Sequence, residues 1–455
     1  MPTPPFQRIL IANRGEIAVR VIRACERLGI ESVVAVSSAD RDSLAARIAT
    51  RAVCIGPAAA RESYLCPEVL VAAAIGTGCT AIHPGYGFLS ERAAFSRLCR
   101  ENGITFIGPS PEVIDAMGDK ISAIRCAENA GVPRVPGSGR IANAADARSF
   151  AAQHGYPVLV KASAGGGGRG MRVVRREQDI LRETEAAAAE AQAAFGDATL
   201  YVEKFIERAR HIEIQVLGDS HGNVVHLGER DCSTQRRHQK LIEEAPSPAL
   251  DARLRSELAE AAVRLAKSVN YVGAGTVEFV FDDDTRKWYF LEMNTRIQVE
   301  HPVTEMVTGR DLVAEQIRVA AGEPLSFTQD DIRLAGHAIE CRINAEDATR
   351  NFTPVPGRLQ AWSVPEGTGI RVDTHCFPGY LVPPYYDSLL AKVIVHGADR
   401  SEAIARMSEA LSRLEVAGVP TTTPFHREII VHDDFKTGRI TTRWVEENFL
   451  ASNAR

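Results

Sequence analysis

Acidic, amide and guanidinium side chains alternate with apolar ones over residues 292–300 of this 455-residue chain. The polar positions are Glu292, Asn294, Arg296, Gln298 and Glu300. Because side chains alternate faces in an extended chain, this spacing predicts a strand with one polar face and one core-facing side. A solvated strand face is the alternative. Acidic, amide and arginine side chains directly follow the aromatic and aliphatic run at 288–291. This arrangement favours a functional site over a solvated strand face.

A neighbouring strand predicts that two of these carboxylates hold a metal ion. Residues 275–281 have strand character and 282–285 have turn character, so a hairpin would set Glu278 opposite Glu292. Like charges directly across two strands are destabilising, so the pair needs a cation. Hard divalent ions such as Mg2+ take oxygen ligands and complete their shell with substrate phosphates. Phosphate-binding elements are therefore expected elsewhere in the chain.

A glycine-rich hairpin meets that expectation. Residues 158–174 contain a strand ending near Lys161, four consecutive glycines at 165–168, and a second strand. Glycine lets backbone N–H groups approach phosphate oxygens, and Lys161 adds a cation beside them. The following strand, and the lack of Walker A and kinase patterns, disfavour a Rossmann dinucleotide loop, a P-loop and a protein kinase. A flexible surface hairpin remains the alternative.

Each of three further polar segments has both a structural and a functional interpretation. Residues 230–240 predict either a solvated loop or an anion-binding segment. The alternating pattern at 339–344 predicts a strand whose polar face is either solvated or part of a site. The Gly/Pro-rich loop at 83–90 carries a histidine and two aromatic residues, so it is either a structural turn or part of a site.

The elements that must position these residues fall into successive regions. Strand and helix alternate over 8–108, which predicts a doubly wound, Rossmann-like unit. Its first turn, 13–16, lacks the dinucleotide fingerprint, so NAD is disfavoured. A linker at 132–139 precedes the α+β segment with the Gly-rich loop. From residue 336 onwards strands and Pro-rich turns predominate.

Composition narrows the class of protein. The chain is 45% hydrophobic and 24% charged, which is typical of a globular protein, and its net charge of -5 disfavours nucleic acid as a partner. No apolar run approaches about 18 residues, so no membrane span is expected. The N-terminus has no signal-peptide pattern. Nine dispersed cysteines without metal-site spacing suit a reducing cytoplasm.

In combination these segments resemble the biotin carboxylase family of the ATP-grasp superfamily, over about residues 9–450. The matching segments are IANRGEIA at 11–18, HPGYGFLSE at 83–91, MGDK at 117–120, KASAGGGGRGM at 161–171, ERDCSTQRRHQK at 229–240, EMNTRIQVEHPVTE at 292–305, ECRINAED at 340–347 and PPYYDS at 383–388. The resemblance implies an α/β and α+β fold in three domains. These are a Rossmann-like domain at 1–118, an ATP-grasp domain at 119–330 with a Gly-rich lid at 132–204, and a mixed α/β domain at 331–455.

The resemblance also implies roles for individual residues. Those expected to bind ATP are Lys120, Lys161, Gly165, Gly166, Gly167, Gly168, Glu203, Lys204, His211, Gln235 and His238. The expected ligands of Mg2+, or alternatively Mn2+, are Glu278, Glu292 and Asn294. Bicarbonate would be surrounded by Lys240, Arg296, Gln298 and the Val299 backbone, with Glu300 as the base. Arg342 would stabilise the biotin enolate, and Tyr86 would touch the biotin ring.

The implied activity is ATP- and bicarbonate-dependent carboxylation of biotin through carboxyphosphate, most commonly as the first half-reaction of acetyl-CoA carboxylase. Since the sequence has no Met-Lys-Met biotinylation site and no carboxyltransferase region, a separate biotin carboxyl carrier protein and carboxyltransferase subunits are expected. Another ATP-grasp ligase that makes an acyl phosphate, or a non-catalytic nucleotide-binding module, are the alternatives. The Arg296, Glu300 and Arg342 set and the 83–91 segment favour biotin carboxylase over both.

The chain departs from the family pattern at a few positions. Ala164 replaces a glycine that many relatives have, and Thr422 replaces an asparagine near the nucleotide region. At the usual homodimer interface Arg23 and Arg371 match the pattern, whereas Arg27 replaces an acid and Thr368 an aromatic residue. A homodimer remains the expectation, with a modified interface.

Overall fold

The computed structural model describes residues 6–162, 171–195 and 198–450. The lid glycines at 165–168 and the departure at Ala164 lie outside these ranges. Two compact units are present: the first is built from Met1–Val132, Arg210–Phe279 and Leu291–Arg455, and the second from Pro133–Ala209 and Val280–Phe290. Among the described helices, none combines the length and the apolar character needed to cross a membrane.

The N-terminal part of the first unit is a parallel five-stranded sheet in the order β3-β2-β1-β4-β5, which confirms the predicted Rossmann-like fold. Its elements are β1 Arg8–Ile11, α1 Gly15–Arg27, β2 Glu31–Ser37, α2 Leu44–Ile48, β3 Arg51–Gly56, α3 Pro67–Thr77, β4 Ala81–His83, α4 Ala93–Glu101, β5 Thr105–Phe106, α5 Pro111–Gly118 and α6 Lys120–Asn129. Ile9, Leu10 and Ile11 are all fully buried, because helices cover both faces of a parallel sheet.

The second unit contains a three-stranded sheet, β7-β6-β8, packed with two helices. Its elements are α7 Ala144–His154, β6 Val158–Ala162, β7 Met171–Val174, α8 Ile180–Phe195 and β8 Leu200–Lys204. β6 and β7 pair antiparallel, with Lys161 opposite Met171. The prediction of two strands on either side of the glycines is therefore confirmed for the described residues.

An eight-stranded sheet, β13-β12-β9-β10-β11-β14-β21-β19, runs through the rest of the molecule. Its strands and the helices around them are β9 Ala209–Gly218, β10 Val224–Arg236, β11 Gln239–Ala245, α9 Ala252–Ser268, β12 Gly273–Asp282, β13 Trp288–Asn294, α10 His301–Thr308, α11 Leu312–Ala320 and β14 His337–Asn344. The C-terminal elements are β15 Glu346–Asp347, β16 Thr353–Pro354, β17 Gly357–Arg358, β18 Ala361–Ser363, β19 Ile370–Thr374, β20 Leu381–Val382, β21 Leu389–Gly397, α12 Arg400–Arg413, β22 Glu415–Ala417, α13 Thr423–Val431 and α14 Asp433–Lys436. The sheet is continuous across residue 330, where the sequence predicts a domain boundary, because β11 pairs with β14.

This sheet decides between the interpretations of two segments and shows where the strand of a third one ends. Residues 230–240 are not a solvated loop but belong to the β10–β11 hairpin, in which Arg230 is fully buried. The 339–344 segment lies within β14, and its polar face is not solvated, because Glu340 and Asn344 are buried. The alternating pattern at 292–300 is a strand only as far as Asn294, and irregular backbone then leads into α10.

Candidate active site

A cavity of about 460 Å3 in the first unit collects most of the predicted site residues. Its lining residues are His211, Gln235, His238, Gln239, Lys240, Glu278, Leu291, Glu292, Asn294, Arg296, Gln298, Val299, Glu300 and Arg342. They come from β9, the β10–β11 hairpin, β12, β13 with the segment after it, and β14. The strands at 210–245 and at 337–344 are therefore both needed to build one site, and its volume suits a small ligand.

Lys240 occupies the centre of a group of three carboxylates. Its Nζ donates to Glu213 Oε2 at 2.6 Å, to Glu300 Oε1 at 2.5 Å and to Glu278 Oε1 at 3.0 Å. Burial by itself would lower the pKa of Lys240, but Glu213 and Glu300 raise that pKa well above its ordinary value. Lys240 is therefore a permanent cation in this cavity.

Glu300 is held between two cations. It is 2% exposed, and Arg342 Nη2 donates to its Oε2 at 2.8 Å while Lys240 binds its Oε1. Burial would raise the pKa of Glu300, yet Lys240 and Arg342 outweigh this effect and hold the pKa well below its usual range. Arg342 also donates from Nε to Glu243 Oε1 at 2.6 Å. Burial raises the pKa of Glu243 to about 7, although the guanidinium of Arg342 opposes that shift.

Glu278 is the most heavily bonded carboxylate of the cavity. Its Oε1 accepts hydrogen bonds from Asn294 Nδ2 at 2.8 Å and Gln298 Nε2 at 2.7 Å as well as from Lys240. Its Oε2 lies 2.6 Å from His211 Nε2. Burial would raise the pKa of Glu278, but Lys240 and His211 lower it far below the ordinary value. Glu278 is therefore an anion that already has hydrogen-bond donors on both oxygens.

Glu292 lies near Glu278 but is differently placed. Within the described part of the chain its carboxylate forms no hydrogen bond, and desolvation and then Glu278 raise its pKa. The ligand atoms of His211, Glu213 and Glu278 converge within 4.8 Å, as do those of Glu213, Cys232 and Glu300, without Glu292. The three carboxylates of those two groups already surround the Lys240 ammonium, whereas no described residue forms an ion pair with Glu292.

Arg296 is oriented by a residue outside the cavity lining. Its Nε donates to Glu91 Oε2 at 2.8 Å, and its Nη2 donates to Asn294 Oδ1 at 2.9 Å. Glu91 also accepts a hydrogen bond from the backbone N–H of Thr295 at 3.1 Å. These bonds fix the irregular backbone after β13 and hold the guanidinium at the wall of the cavity.

A second cavity of about 400 Å3 adjoins the first through shared lining residues, Gln239, Val299 and Arg342. Its other walls are formed by the turn after β1, the loop around Tyr86 and the segment at 385–389. The loop at 83–90 therefore lines a cavity, which favours its interpretation as part of a site over that of a structural turn. Tyr86 donates a hydrogen bond from its hydroxyl to Oε1 of Glu16, another lining residue of this cavity.

The remaining predicted nucleotide residues are distributed over both units. In the second unit Lys161 pairs with Glu203, while Lys204 Nζ donates to the carbonyl oxygens of Gly155 and Tyr156 at 3.1 and 3.0 Å. In the first unit Lys120 is exposed at the start of α6 and does not line the cavity of about 460 Å3.

On the cavity side, His211 and Gln235 are in contact while His238 sits exposed at the hairpin turn. Gln235 Nε2 lies 3.4 Å from His211 Nδ1, and His238 has a φ of 66°. Since His211 Nε2 faces the anionic Glu278, the Nδ1 atom accepts from Gln235. The imidazole of His211 is thereby fixed between Glu278 and the hairpin.

The sequence does not indicate the role of two buried residues, Arg230 and Glu213, that support the cavity residues. Arg230 is completely buried and donates to Glu213 Oε1 at 2.5 Å and Gln298 Oε1 at 2.9 Å. It also donates to Gln215, Thr276 and Thr304. The alternating charges at 211–216 were the only signal for Glu213, and nothing local distinguishes Arg230 from the other basic residues of its segment.

Thr422 lies against β14. Its Oγ1 donates to the carbonyl oxygen of Arg342 at 2.9 Å and accepts from the N–H of Asn344 at 3.0 Å. His426 Nε2 donates to the same Arg342 carbonyl at 2.6 Å. The threonine is fully buried, so it bonds the backbone that carries Arg342.

Comparison with known proteins decides the family. The model of the biotin carboxylase N-terminal domain matches residues 5–114, that of the carbamoyl-phosphate synthase L chain ATP-binding domain matches 119–328, and that of the biotin carboxylase C-terminal domain matches 340–447. Biotin carboxylase 1 of Bacillus subtilis is 54% identical over 97% of this chain and 98% of its own length. The chain belongs to the biotin carboxylase family.

Two further relatives of this chain carry informative names. A pyruvate carboxylase component of Methanothermobacter thermautotrophicus is 52% identical over 97% of this chain and 90% of its own length. The biotin carboxylase domain dimer of Hydrogenobacter thermophilus 2-oxoglutarate carboxylase, solved with MgADP, ADP and bicarbonate, is 51% identical. The match covers 97% of both chains with a TM-score of 0.86. This protein is thus an ATP-grasp ligase of the biotin-dependent carboxylases.

Proposed function

We propose that ATP and bicarbonate react in the cavity around Lys240, and that the adjoining cavity beside Tyr86 holds the biotin ring. The observation that carries this proposal is the Glu300 carboxylate, buried between Lys240 and Arg342 where the two cavities share a wall. The proposed base Glu300, the cations Lys240 and Arg342, and the adjoining cavity for the second substrate then lie close together. Acyl-phosphate chemistry followed by carboxyl transfer needs that combination.

The carboxylate side of the cavity fits a divalent cation. Glu292, Glu278 and Asn294 offer oxygen ligands, and desolvation together with the neighbouring Glu278 raises the pKa of Glu292. Such an ion, as Mg2+, supplies charge neutralisation at the phosphates of ATP. Lys240 neutralises the Glu213, Glu278 and Glu300 side of the same cavity. Mn2+ would find the same oxygen ligands.

Glu300 removes the proton from bicarbonate, whose anionic oxygens lie among Lys240, Arg296, Gln298 and the Val299 backbone. In the free enzyme its low pKa reflects two ion pairs, so it is a weak base as long as those pairs persist. When bicarbonate enters, Lys240 and Arg342 share their hydrogen bonds with the substrate, and the basicity of Glu300 rises. The bicarbonate oxyanion then attacks the γ-phosphate of ATP, the bond from that phosphorus to the bridging oxygen breaks, ADP leaves, and carboxyphosphate forms.

Arg342 and Tyr86 serve the second half of the reaction. Carboxyphosphate yields CO2 and phosphate, the phosphate takes the proton of the biotin ureido nitrogen, and that nitrogen then attacks CO2 to form carboxybiotin. The planar fork of Arg342, which lines both cavities, stabilises the resulting enolate oxygen. Tyr86 lines the second cavity, where it can contact the ring.

The nucleotide roles of the remaining residues are proposed from the family resemblance. In the first unit His211, Gln235 and His238 serve the ribose and phosphates, and Lys120 serves the phosphates. In the second unit Glu203 and Lys204 serve the adenine, and Lys161 serves the phosphates. The glycines at 165–168 lie outside the described residues, and their role as a lid that excludes water remains a prediction from the sequence.

The carboxyl group would pass to biotin on a separate carrier protein and then, through carboxyltransferase subunits, to an acceptor. We propose acetyl-CoA as that acceptor, in the cytoplasm, with a homodimer as the working form. The pyruvate and 2-oxoglutarate carboxylase relatives define the alternative acceptors.

Two measurements test the proposed function. The purified chain should carboxylate free biotin only when ATP, bicarbonate and Mg2+ are all present, and biotin should accelerate its ATP hydrolysis. Bicarbonate-dependent ATP turnover that requires ammonia instead of biotin would contradict the proposal. A pull-down from the native host, followed by identification of the biotinylated protein and its transferase, names the acceptor. Recovery of a pyruvate- or 2-oxoglutarate-specific transferase would overturn the acetyl-CoA assignment.

A further inference from the structure

Lys392 is a cation buried inside the wall that the two cavities share. It lies on β21, is fully shielded from solvent, and is the direct cross-strand neighbour of Arg342. Burying an ammonium group in a central strand is costly unless its charge and hydrogen bonds are matched. None of the roles assigned above to substrate-binding residues involves this side chain.

The contacts of Lys392 are with residues that line the two cavities. Its Nζ donates to the carbonyl oxygen of Val299 at 2.8 Å and pairs with Glu16 Oε1 at 3.0 Å. Val299 lines both cavities and directly precedes Glu300. Glu16 lines the cavity beside Tyr86 and accepts the Tyr86 hydroxyl hydrogen bond on the same oxygen.

Glu340 and Asp373 also lie near Lys392, and Asp373 already has a cation of its own. Asp373 accepts two hydrogen bonds from Arg371, at 2.8 and 2.7 Å, whereas Lys392 lies 3.9 Å away. The short contacts of Lys392 are therefore directed at Glu16 and Val299. One ammonium group thus connects a wall of the biotin cavity to the backbone of the bicarbonate segment.

We propose that Lys392 is a positioning residue, which fixes Val299 for bicarbonate and, through Glu16, fixes Tyr86 for biotin. The inference rests on the proposed function, because it assigns Val299 and Tyr86 to the two substrates. Both substrates must meet within bonding distance of one another. A displacement of about 1 Å between them costs on the order of 100-fold in rate, so a rigid link between their binding walls matters.

Lys392→Met is the direct test, since methionine has a similar length but provides neither the charge nor the donor. Steady-state kinetics with free biotin should show KM rising for both biotin and bicarbonate, with kcat falling on the order of 10- to 100-fold. The KM for ATP should change by less than about 2-fold, because the residues that Lys392 contacts, Val299 and Glu16, are not among those assigned to ATP. The fraction of ATP hydrolysis coupled to biotin carboxylation should fall. Unchanged KM values for biotin and bicarbonate, or an equal rise in all three, would overturn the proposal.

Glu16→Gln keeps the proposal testable if Lys392→Met does not fold. This variant weakens only the connection to Tyr86, so the KM for biotin should rise while the KM for bicarbonate stays at the wild-type value. Glu229→Gln is a matched control, because Glu229 is a 1% exposed acid paired with Arg255 at 2.7 Å and lines neither cavity. It should lower thermal stability without changing either KM. A KM for biotin that is equal in Glu16→Gln and in the Glu229→Gln control would contradict the positioning role of Lys392.

Wild-type enzyme and Glu300→Gln, assayed alongside, distinguish a failure of the proposed function from a failure of the positioning role of Lys392. If wild type does not carboxylate biotin, or Glu300→Gln retains full activity, the proposed function fails. If those two behave as expected but Lys392→Met and Glu16→Gln have wild-type kinetics, only the positioning role of Lys392 fails.

Discussion

Arg342 Nη2 donates a hydrogen bond to Glu300 Oε2 at 2.8 Å, so the proposed enolate-stabilising cation is ion-paired with the proposed base. In this arrangement neither group is free for its task. Bicarbonate and biotin must each draw one partner away, which makes substrate binding the event that activates both. The pair would thereby connect carboxyphosphate formation with biotin carboxylation, since Glu300 is the proposed base for bicarbonate and Arg342 lines both cavities.

Replacing Glu300 by glutamine should abolish the general base while keeping the size of the side chain. Biotin carboxylation should fall by about 100- to 10,000-fold, the range expected for loss of a positioned base. Binding of ATP, measured by calorimetry, should remain within a few-fold of wild type, because the hydrogen bonds of Glu300 go to Lys240 and Arg342. Near-normal turnover in this variant would contradict the assignment of the base.

Replacing Arg342 by lysine should impair biotin carboxylation more than carboxyphosphate formation. Lysine keeps the charge near Glu300 but loses the planar fork that bonds both Glu243 and Glu300. Biotin carboxylation should therefore fall by more than the slower bicarbonate-dependent ATP hydrolysis measured without biotin. If both activities stayed near the wild-type values, Arg342 would act only through its charge, and an equal loss of the two would contradict a separate role for the fork in biotin carboxylation.

Glu292→Gln should have opposite effects on stability and on metal use. Removing one of two neighbouring carboxylates relieves repulsion, so the metal-free protein should melt at the same or a higher temperature than wild type. The Mg2+ concentration needed for half-maximal ATP hydrolysis should rise at least about 10-fold, because an anionic carboxylate ligand becomes a neutral amide. A lower melting temperature without metal, together with an unchanged Mg2+ requirement, would contradict the metal assignment.

Arg230→Met should destabilise the protein strongly because it leaves Glu213 without one of its two cations. Breaking a buried pair by removing one partner costs about 3–5 kcal/mol. The double variant with Glu213→Gln should recover part of that loss in urea unfolding, since the buried charge is then gone. Additive losses in the double variant would show that Arg230 acts mainly through Gln215, Gln298 and its other neutral partners.

Glu244 provides a test of pH-dependent stability away from the cavity. Burial would raise its pKa, but His337 and Arg400 lower it to about 2, from an ordinary value of 4.5. A lowered pKa in the folded state contributes stability above the unfolded pKa, and this contribution is lost as pH falls through the folded value. The difference in unfolding free energy between wild type and Glu244→Gln should be constant near neutral pH and shrink below about pH 4.5. A difference that grows on acidification would contradict the assigned shift.

Local sequence was sufficient where neighbouring residues decide the structure. The Rossmann-like alternation, the two strands flanking the glycines and the helix starts capped by Asp251 and Asp311 follow from short-range patterning. The polar alternation at 292–300 does not by itself locate the end of the strand, because the same period continues past Asn294, where hydrogen bonds from Thr295 and Arg296 to the distant Glu91 hold the chain out of the strand.

The sequence by itself determined the family and the identity of the chemical groups, because those depend on residue types within short segments. Only the tertiary structure decided how the groups are charged and held. Lys240 meets three carboxylates from residues 213, 278 and 300, and Lys392 meets Val299 and Glu16, which are 93 and 376 positions away in the chain. Such buried ion pairs depend on strand order in the eight-stranded sheet and on docking of α1 beside it, neither of which is encoded by local spacing.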